Sequence, residues 1–219
     1  MAIGTIYSYP SNPRVAKIQA AANLGGLTLE HGEFAMGQTN KTEEFLSKFP
    51  LGKAPTFTSV DGVHLFESNA IAQYVAESGS AKDQLLGTTP AERAQVQQWA
   101  QMADSEIAGP LGVCFLHRVA PIPFDAVADQ KSIEKVERAL GALERHLPGR
   151  TWLATEKLSL ADITAAASLI WALSFVIDQE ARDKYPTAIA WWKRVAESEG
   201  VKEAFGEVKF VEKRQTPGQ

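Results

Sequence analysis

The chain has 219 residues, 45% hydrophobic and 22% charged, with 22 Lys and Arg against 26 Asp and Glu for a formal net charge of −4. That length buries one sizeable core or two unequal ones sharing an interface. The balance argues against a nucleic-acid surface, since the one short basic cluster, Lys209, Lys213 and Arg214, reads as solvated surface. The single cysteine, Cys114, excludes an internal disulfide framework and a Cys-based zinc site and suits a reducing, cytoplasmic location. The opening MAIGTIYSYP lacks a basic segment followed by an apolar run, and no apolar stretch nears the ~20 residues that span a bilayer.

The first part of the chain alternates strand and helix patterns. Ile3 to Tyr9 reads as a strand, and Asn12 to Leu24 as a helix closed by Gly25-Gly26. Leu27 to Glu33 is a second strand, and Gly37 to Asn40 a turn. Lys41 to Phe49 is a short helix with Phe45, Leu46 and Phe49 on one face. Thr56 to Thr58 and Val63 to Phe66 flank Asp61-Gly62, a hairpin signal. The order is therefore βαβ, a helix and an antiparallel hairpin. Ser68 is expected to cap a helix running to about Glu77.

Residues 79–88 read as a polar linker between a domain over 1–78 and an all-helical one over 89–219. Thr89-Pro90-Ala91-Glu92 is a capping box opening a helix to about Arg118, with Trp99, Met102, Ile107 and Leu111 as core candidates. Pro121 and Pro123 break it, and another helix covers about Ala128 to Leu147. Ser159-Leu160-Ala161-Asp162 is a second capping box, before a helix (Ile163 to Ile177) so apolar that it must be buried nearly all round. Pro186 opens a helix carrying Trp191 and Trp192, and the tail after Glu207 is mostly polar.

Three features carry chemistry. Pro55 gives up a ladder donor, so Ala54-Pro55 belongs at a strand entrance; a cis bond there would turn the Ala54 backbone towards a ligand. Glu67-Ser68 joins a strand to a helix. It is either an ordinary cap or an amino-acid site, with the helix N-terminus and the Ser68 hydroxyl for a carboxylate and Glu67 for an ammonium. Tyr9-Pro10-Ser11-Asn12-Pro13-Arg14 follows the first strand, where open α/β sheets bind ligands. A donor there, with the helix dipole, favours a thiolate; the alternative is that Ser11 or Asn12 only caps the helix. His64 and His146 have no partners at metal-ligand spacing, so no metal site is expected.

With these residues in place the sequence resembles the glutathione transferases over nearly its whole length. Leu51-Gly52-Lys53-Ala54-Pro55, Phe66-Glu67-Ser68-Asn69-Ala70-Ile71-Ala72 and Ser159-Leu160-Ala161-Asp162-Ile163 match that family in order and spacing. Residues 37–50, Trp152 to Lys157 and Phe205 to Lys209 resemble in particular the amino-terminal domains of the gamma subunit of translation elongation factor one. The resemblance implies a thioredoxin-like α/β domain followed by an all-helical domain. It implies a cis Ala54-Pro55 bond with the Ala54 backbone pairing to the cysteinyl part of glutathione, and Glu67 and Ser68 on the γ-glutamyl end. Lys53, with Asn40 or Gln38, would hold the glycyl carboxylate.

For the thiol, the resemblance points to Ser11 or Tyr9, with Ser11 favoured by its place at the helix entrance and Arg14 as a lesser candidate to steady the thiolate or the fold. Ser159 and Asp162 are a folding feature of the family. Cys114, Phe115, His117 and Arg118 are placed to line a pocket for an apolar electrophile, with Cys114 and the five tryptophans otherwise core. A homodimer is the base expectation; in one, Asp104 reaches a neighbour's ligand or lies on a solvated helix face. Two readings stay open: a transferase acting on glutathione and a small apolar electrophile, or a scaffold that anchors a nucleotide-exchange subunit in protein biosynthesis. If 219 residues are the whole gene product the transferase is favoured; as the front of a longer chain the scaffold gains.

Overall fold

A computed structural model of the chain describes residues 2–120 and 122–214. Strand β1 (Ala2–Tyr7) runs parallel to β2 (Thr28–His31), with helix α1 (Pro13–Leu24) as the crossover that a parallel pair needs. After a 3-10 turn (Thr39–Lys41) and the short α2 (Glu43–Lys48), β3 (Thr56–Ser59) pairs antiparallel with β1 and with β4 (His64–Phe66). The sheet order is β2-β1-β3-β4, the mixed arrangement expected. Ile6 and Phe57 face each other across β1 and β3 and are fully buried.

Helix α1 starts because the Asn12 side chain accepts from the Arg14 N–H at 3.0 Å and Pro13 lacks the hydrogen that would go unpaired. It ends against α3 (Ser68–Ser78), where a Cβ on Gly79 would lie 2.7 Å from the Gly25 Cα; only glycine permits that crossing. The stretch read as a linker contains α4 (Lys82–Leu86), with Leu85 and Leu86 buried under its polar neighbours.

The rest is helical. The Thr89 capping box forms in full and opens α5 (Pro90–Met102), which continues through a π-helical turn (Ala103–Ala108) into α6 (Gly109–Val119). Pro110 explains the widened turn: it has no N–H for the helical ladder and its ring collides with a regular preceding turn. Pro121, expected to break this helix, lies outside the described residues. Next come α7 (Ala126–His146), α8 (Leu160–Trp171), a second π-turn (Ala172–Val176), α9 (Gln179–Arg182), α10 (Pro186–Ala196) and α11 (Val201–Phe205).

Helix α8 is buried nearly all round, and both halves of its Ser159–Asp162 box form. The buried Asp162 carboxylate also accepts from the Leu153 N–H at 2.8 Å and the Trp191 indole at 3.0 Å. Trp191 and Trp192 are core; Trp99, Trp152 and Trp171 are half-buried against it. One apolar cluster runs from Ile6 and Ile71 through Leu111 to Ile163, so sheet and bundle share a core.

The reading of Arg214 as solvated surface is corrected. Its Nε donates to the Val176 carbonyl at 2.8 Å and it pairs with Glu137 at 3.1 Å. Among the described residues no helix is long and apolar enough to cross a membrane.

Candidate functional site

The carboxyl end of β1, the entrance to β3 and the β4–α3 turn open on one cavity of about 490 Å³. Tyr9 and Arg14 line it from the β1–α1 turn, Lys53, Ala54 and Pro55 from the β3 entrance, and Glu67 and Ser68 from the β4–α3 turn. Asp104, Gly109 and Leu116 close it from the helical side. The Ala54-Pro55 bond is cis. Seven residues singled out from the sequence thus line one cavity, and they bring both charge signs and two hydroxyls to it.

The β4–α3 turn differs from expectation. The cap is Glu67, with φ of 68° and no side-chain capping bond, and Ser68 is the first helical residue. A non-glycine residue in the left-handed region is uncommon, and such strain clusters at ligand sites. Ser68 therefore does not use its hydroxyl to close its own helix; it lines the cavity.

The structure keeps three expected residues out of this cavity. Ser11 is exposed at φ of 57°, one residue before the true cap Asn12. Asn40 is occupied in the loop, accepting from the Gly37 N–H at 2.6 Å and donating to the Gly52 carbonyl at 2.7 Å. Gln38 is exposed at the start of the 3-10 turn. Tyr9, by contrast, is half-buried; burial raises its pKa and the Arg14 charge lowers it, with burial prevailing. Its phenol stays protonated at neutral pH and is a hydrogen-bond donor.

Sequence reasoning missed two residues here. Thr56 is buried on the cavity wall, and its Oγ1 is without a hydrogen-bond partner among the described residues. An orphaned buried hydroxyl calls for a ligand or water. Lys17, on α1, is buried against the helical domain, its Nζ donating to the Asn69 Oδ1. Its spacing of four residues from buried Pro13 and from buried Ala21 was the available signal.

A second cavity, about 750 Å³, lies on the other side of the β1–α1 turn. Trp171, Ser174 and Phe175 of the α8 region line it, with residues 203–209 across from them. Tyr9 lines both cavities. This corrects the expected electrophile pocket. Cys114 is fully buried, and burial pushes its thiol up to about 11. The Arg118 guanidinium donates to Asp129 at 2.6 and 3.1 Å, and His117 pairs with the same carboxylate at 3.3 Å. Burial pushes the Asp129 carboxyl up, but those bonds outweigh it and hold its pKa below the ordinary value. Phe115 stacks behind Trp171 with ring centroids 3.9 Å apart. These four residues fasten and back the site without lining either cavity.

The family model for the glutathione S-transferase N-terminal domain matches residues 2–77, and that for the C-terminal domain matches residues 110–199. A glutathione S-transferase-like protein of a Fusarium species is 44% identical over 95% of both chains. Elongation factor 1-gamma of Carassius auratus is 41% identical over 97% of this chain, which spans only 48% of that relative's length. The crystal structure of the glutathione-transferase-like domain of elongation factor 1-gamma from Saccharomyces cerevisiae superposes over 100% of both chains, with a TM-score of 0.83 and 25% identity. A glutathione transferase from Phanerochaete chrysosporium, in complex with oxidized glutathione, has a TM-score of 0.83 at 22% identity over 92% of this chain and 94% of that one, a likeness of fold.

Proposed function

The chain belongs to the glutathione S-transferase family, and from that premise we propose that it conjugates glutathione to an apolar electrophile, with Tyr9 as the residue that steadies the thiolate. The observation that carries this reading is the position of Tyr9 on the wall common to both cavities. A donor there meets a thiol held in the smaller cavity and an electrophile held in the larger.

The smaller cavity suits glutathione group by group. Lys53 takes the glycyl carboxylate, the Ala54 backbone pairs with the cysteinyl unit, and Ser68 with the first turn of α3 takes the γ-glutamyl carboxylate. Glu67 takes the ammonium, and Thr56 has a free hydroxyl for a polar atom of the ligand. Gln38 and Asn40 have no part in it. The Tyr9 O–H donates to the sulfur, and the Arg14 charge favours the ionised form. Lowering a thiol pKa from ~8.5 by one unit raises the thiolate fraction near neutral pH roughly eightfold, for about 1.4 kcal/mol of stabilisation.

The thiolate then forms a carbon–sulfur bond, either expelling a leaving group with its electron pair or adding to an activated double bond that takes up a proton. Trp171 and Phe175 supply aromatic surface for a planar electrophile beside Tyr9.

The test is initial-rate conjugation of glutathione with an activated aryl halide and with a larger planar electrophile. The reading expects saturable turnover with both, and Trp171→Ala should raise KM for the larger one selectively. The identity with elongation factor 1-gamma favours a second reading, a scaffold that holds a nucleotide-exchange subunit. Absence of turnover, with stoichiometric retention of that subunit, would establish the scaffold instead. A cytoplasmic, homodimeric protein fits either reading.

A further inference from the structure

Lys17 sits at the domain interface with 2% of its surface exposed. Its Nζ donates to the Asn69 Oδ1, and the Asn69 Nδ2 donates to the Ala100 carbonyl on α5 at 3.4 Å. Asn69 is the second residue of α3, directly after Ser68 and two after the strained Glu67. The Lys17 ammonium of α1 and one carbonyl of the helical domain therefore hold, from behind, the turn whose front lines the smaller cavity.

The ammonium is held without an ion-pair partner among the described residues. Asp104 of the π-turn and Glu67 of the β4–α3 turn favour its charge from a distance, while Arg14 of its own helix opposes it. Among the described residues α6 and α8 present no charge to it: Leu111, Ala167, Ser168 and Trp171, with Ala108 of the π-turn, line the small void beside it. Burial dominates and lowers the Lys17 pKa to about 8. A methionine fills the same space without that desolvation, so the ammonium does not serve stability.

We propose that Lys17 is a positioning residue: through Asn69 its ammonium sets the Glu67–Ser68 turn for the γ-glutamyl end of glutathione, and ligand affinity follows the Lys17 charge. This rests on the smaller cavity being the glutathione site. A charged donor makes a hydrogen bond roughly twice as strong as a neutral one. Loss of the proton therefore slackens the hold on Asn69, and with it the unfavourable backbone of Glu67.

The test is calorimetric titration with S-methylglutathione, whose capped sulfur cannot ionise, comparing wild type with Lys17→Met across pH. The ligand's own titration cancels in the ratio of the two dissociation constants. That ratio should be about tenfold near pH 6.5 and fall to within about twofold near pH 9.5, where the wild-type lysine is itself neutral. A ratio that stays constant, or that is one at the lower pH, would overturn the proposal while leaving the cavity as the glutathione site. No binding by the wild type would overturn both. Asn69→Asp keeps the lysine and sets a carboxylate against it; the fall in affinity should then move up by about one pH unit or more. An unmoved fall would also overturn the proposal.

Discussion

Tyr9 and Arg14 line the same cavity, and the Arg14 charge works against the burial that raises the Tyr9 pKa. Tyr9→Phe keeps the ring and removes only the donor. It should lower kcat/KM for conjugation by about 10- to 100-fold, the range of one well-placed donor to developing charge. Ser11→Ala, at an exposed residue that borders the larger cavity but not the smaller one, should stay within about twofold of wild type. Initial rates of the two variants decide between the hydroxyls.

Under the proposed function Glu67 and Ser68 meet opposite charges on one end of the ligand. Glu67→Ala or Ser68→Ala should each weaken glutathione binding by ~1–3 kcal/mol, as loss of a hydrogen bond to a charged group does. Isothermal titration at fixed pH reads this directly.

Lys17 gives a stability prediction of definite sign. Its pKa is about 8 in the fold and 10.5 in the ordinary state, so the unfolded chain binds more protons between those values. Stability therefore rises with pH across that window, and the penalty is fully present below it. Lys17→Met should be more stable than wild type by about 2–4 kcal/mol near neutral pH, with most of the difference gone above about pH 10.5. Urea unfolding at the two pH values measures it. Weaker binding together with greater stability would mark the lysine as a functional compromise.

Asp162 accepts four hydrogen bonds at zero exposure, from Ser159 N–H and Oγ–H, Leu153 N–H and the Trp191 indole. Asp162→Ala strands those donors and should destabilise the fold by about 3–5 kcal/mol. Denaturant unfolding checks this, and turnover per folded molecule should be unchanged.

Much of this was legible from local pattern. Asp61-Gly62 between apolar runs marked the hairpin, and the two capping boxes marked their helices because each motif closes within four residues. Lys53, Ala54, Pro55, Glu67 and Ser68 converge because they lie where β3 begins and β4 ends, at one end of the sheet. What was not legible depends on distant partners. In the sequence Arg118 and His117 read as pocket-lining groups, whereas Asp129, on the next helix, captures both. The backbone at Ser11 and Glu67 adopts a positive φ that no side chain announces; of the two caps offered for α1 the structure uses Asn12, and the cap of α3 moves from Ser68 to Glu67. Leu85 and Leu86 were masked by the polar residues around them, and Arg214 by reading its charge as solvation.

The proposed function puts glutathione in the smaller cavity with its thiol ionised beside Tyr9. The measurement that meets it most directly is a pH titration of thiolate absorbance in the binary complex of protein and glutathione. The midpoint should lie at least about one unit below the free value of ~8.5 and return towards that value in Tyr9→Phe. A bound thiol titrating at the free value in the wild type would contradict it.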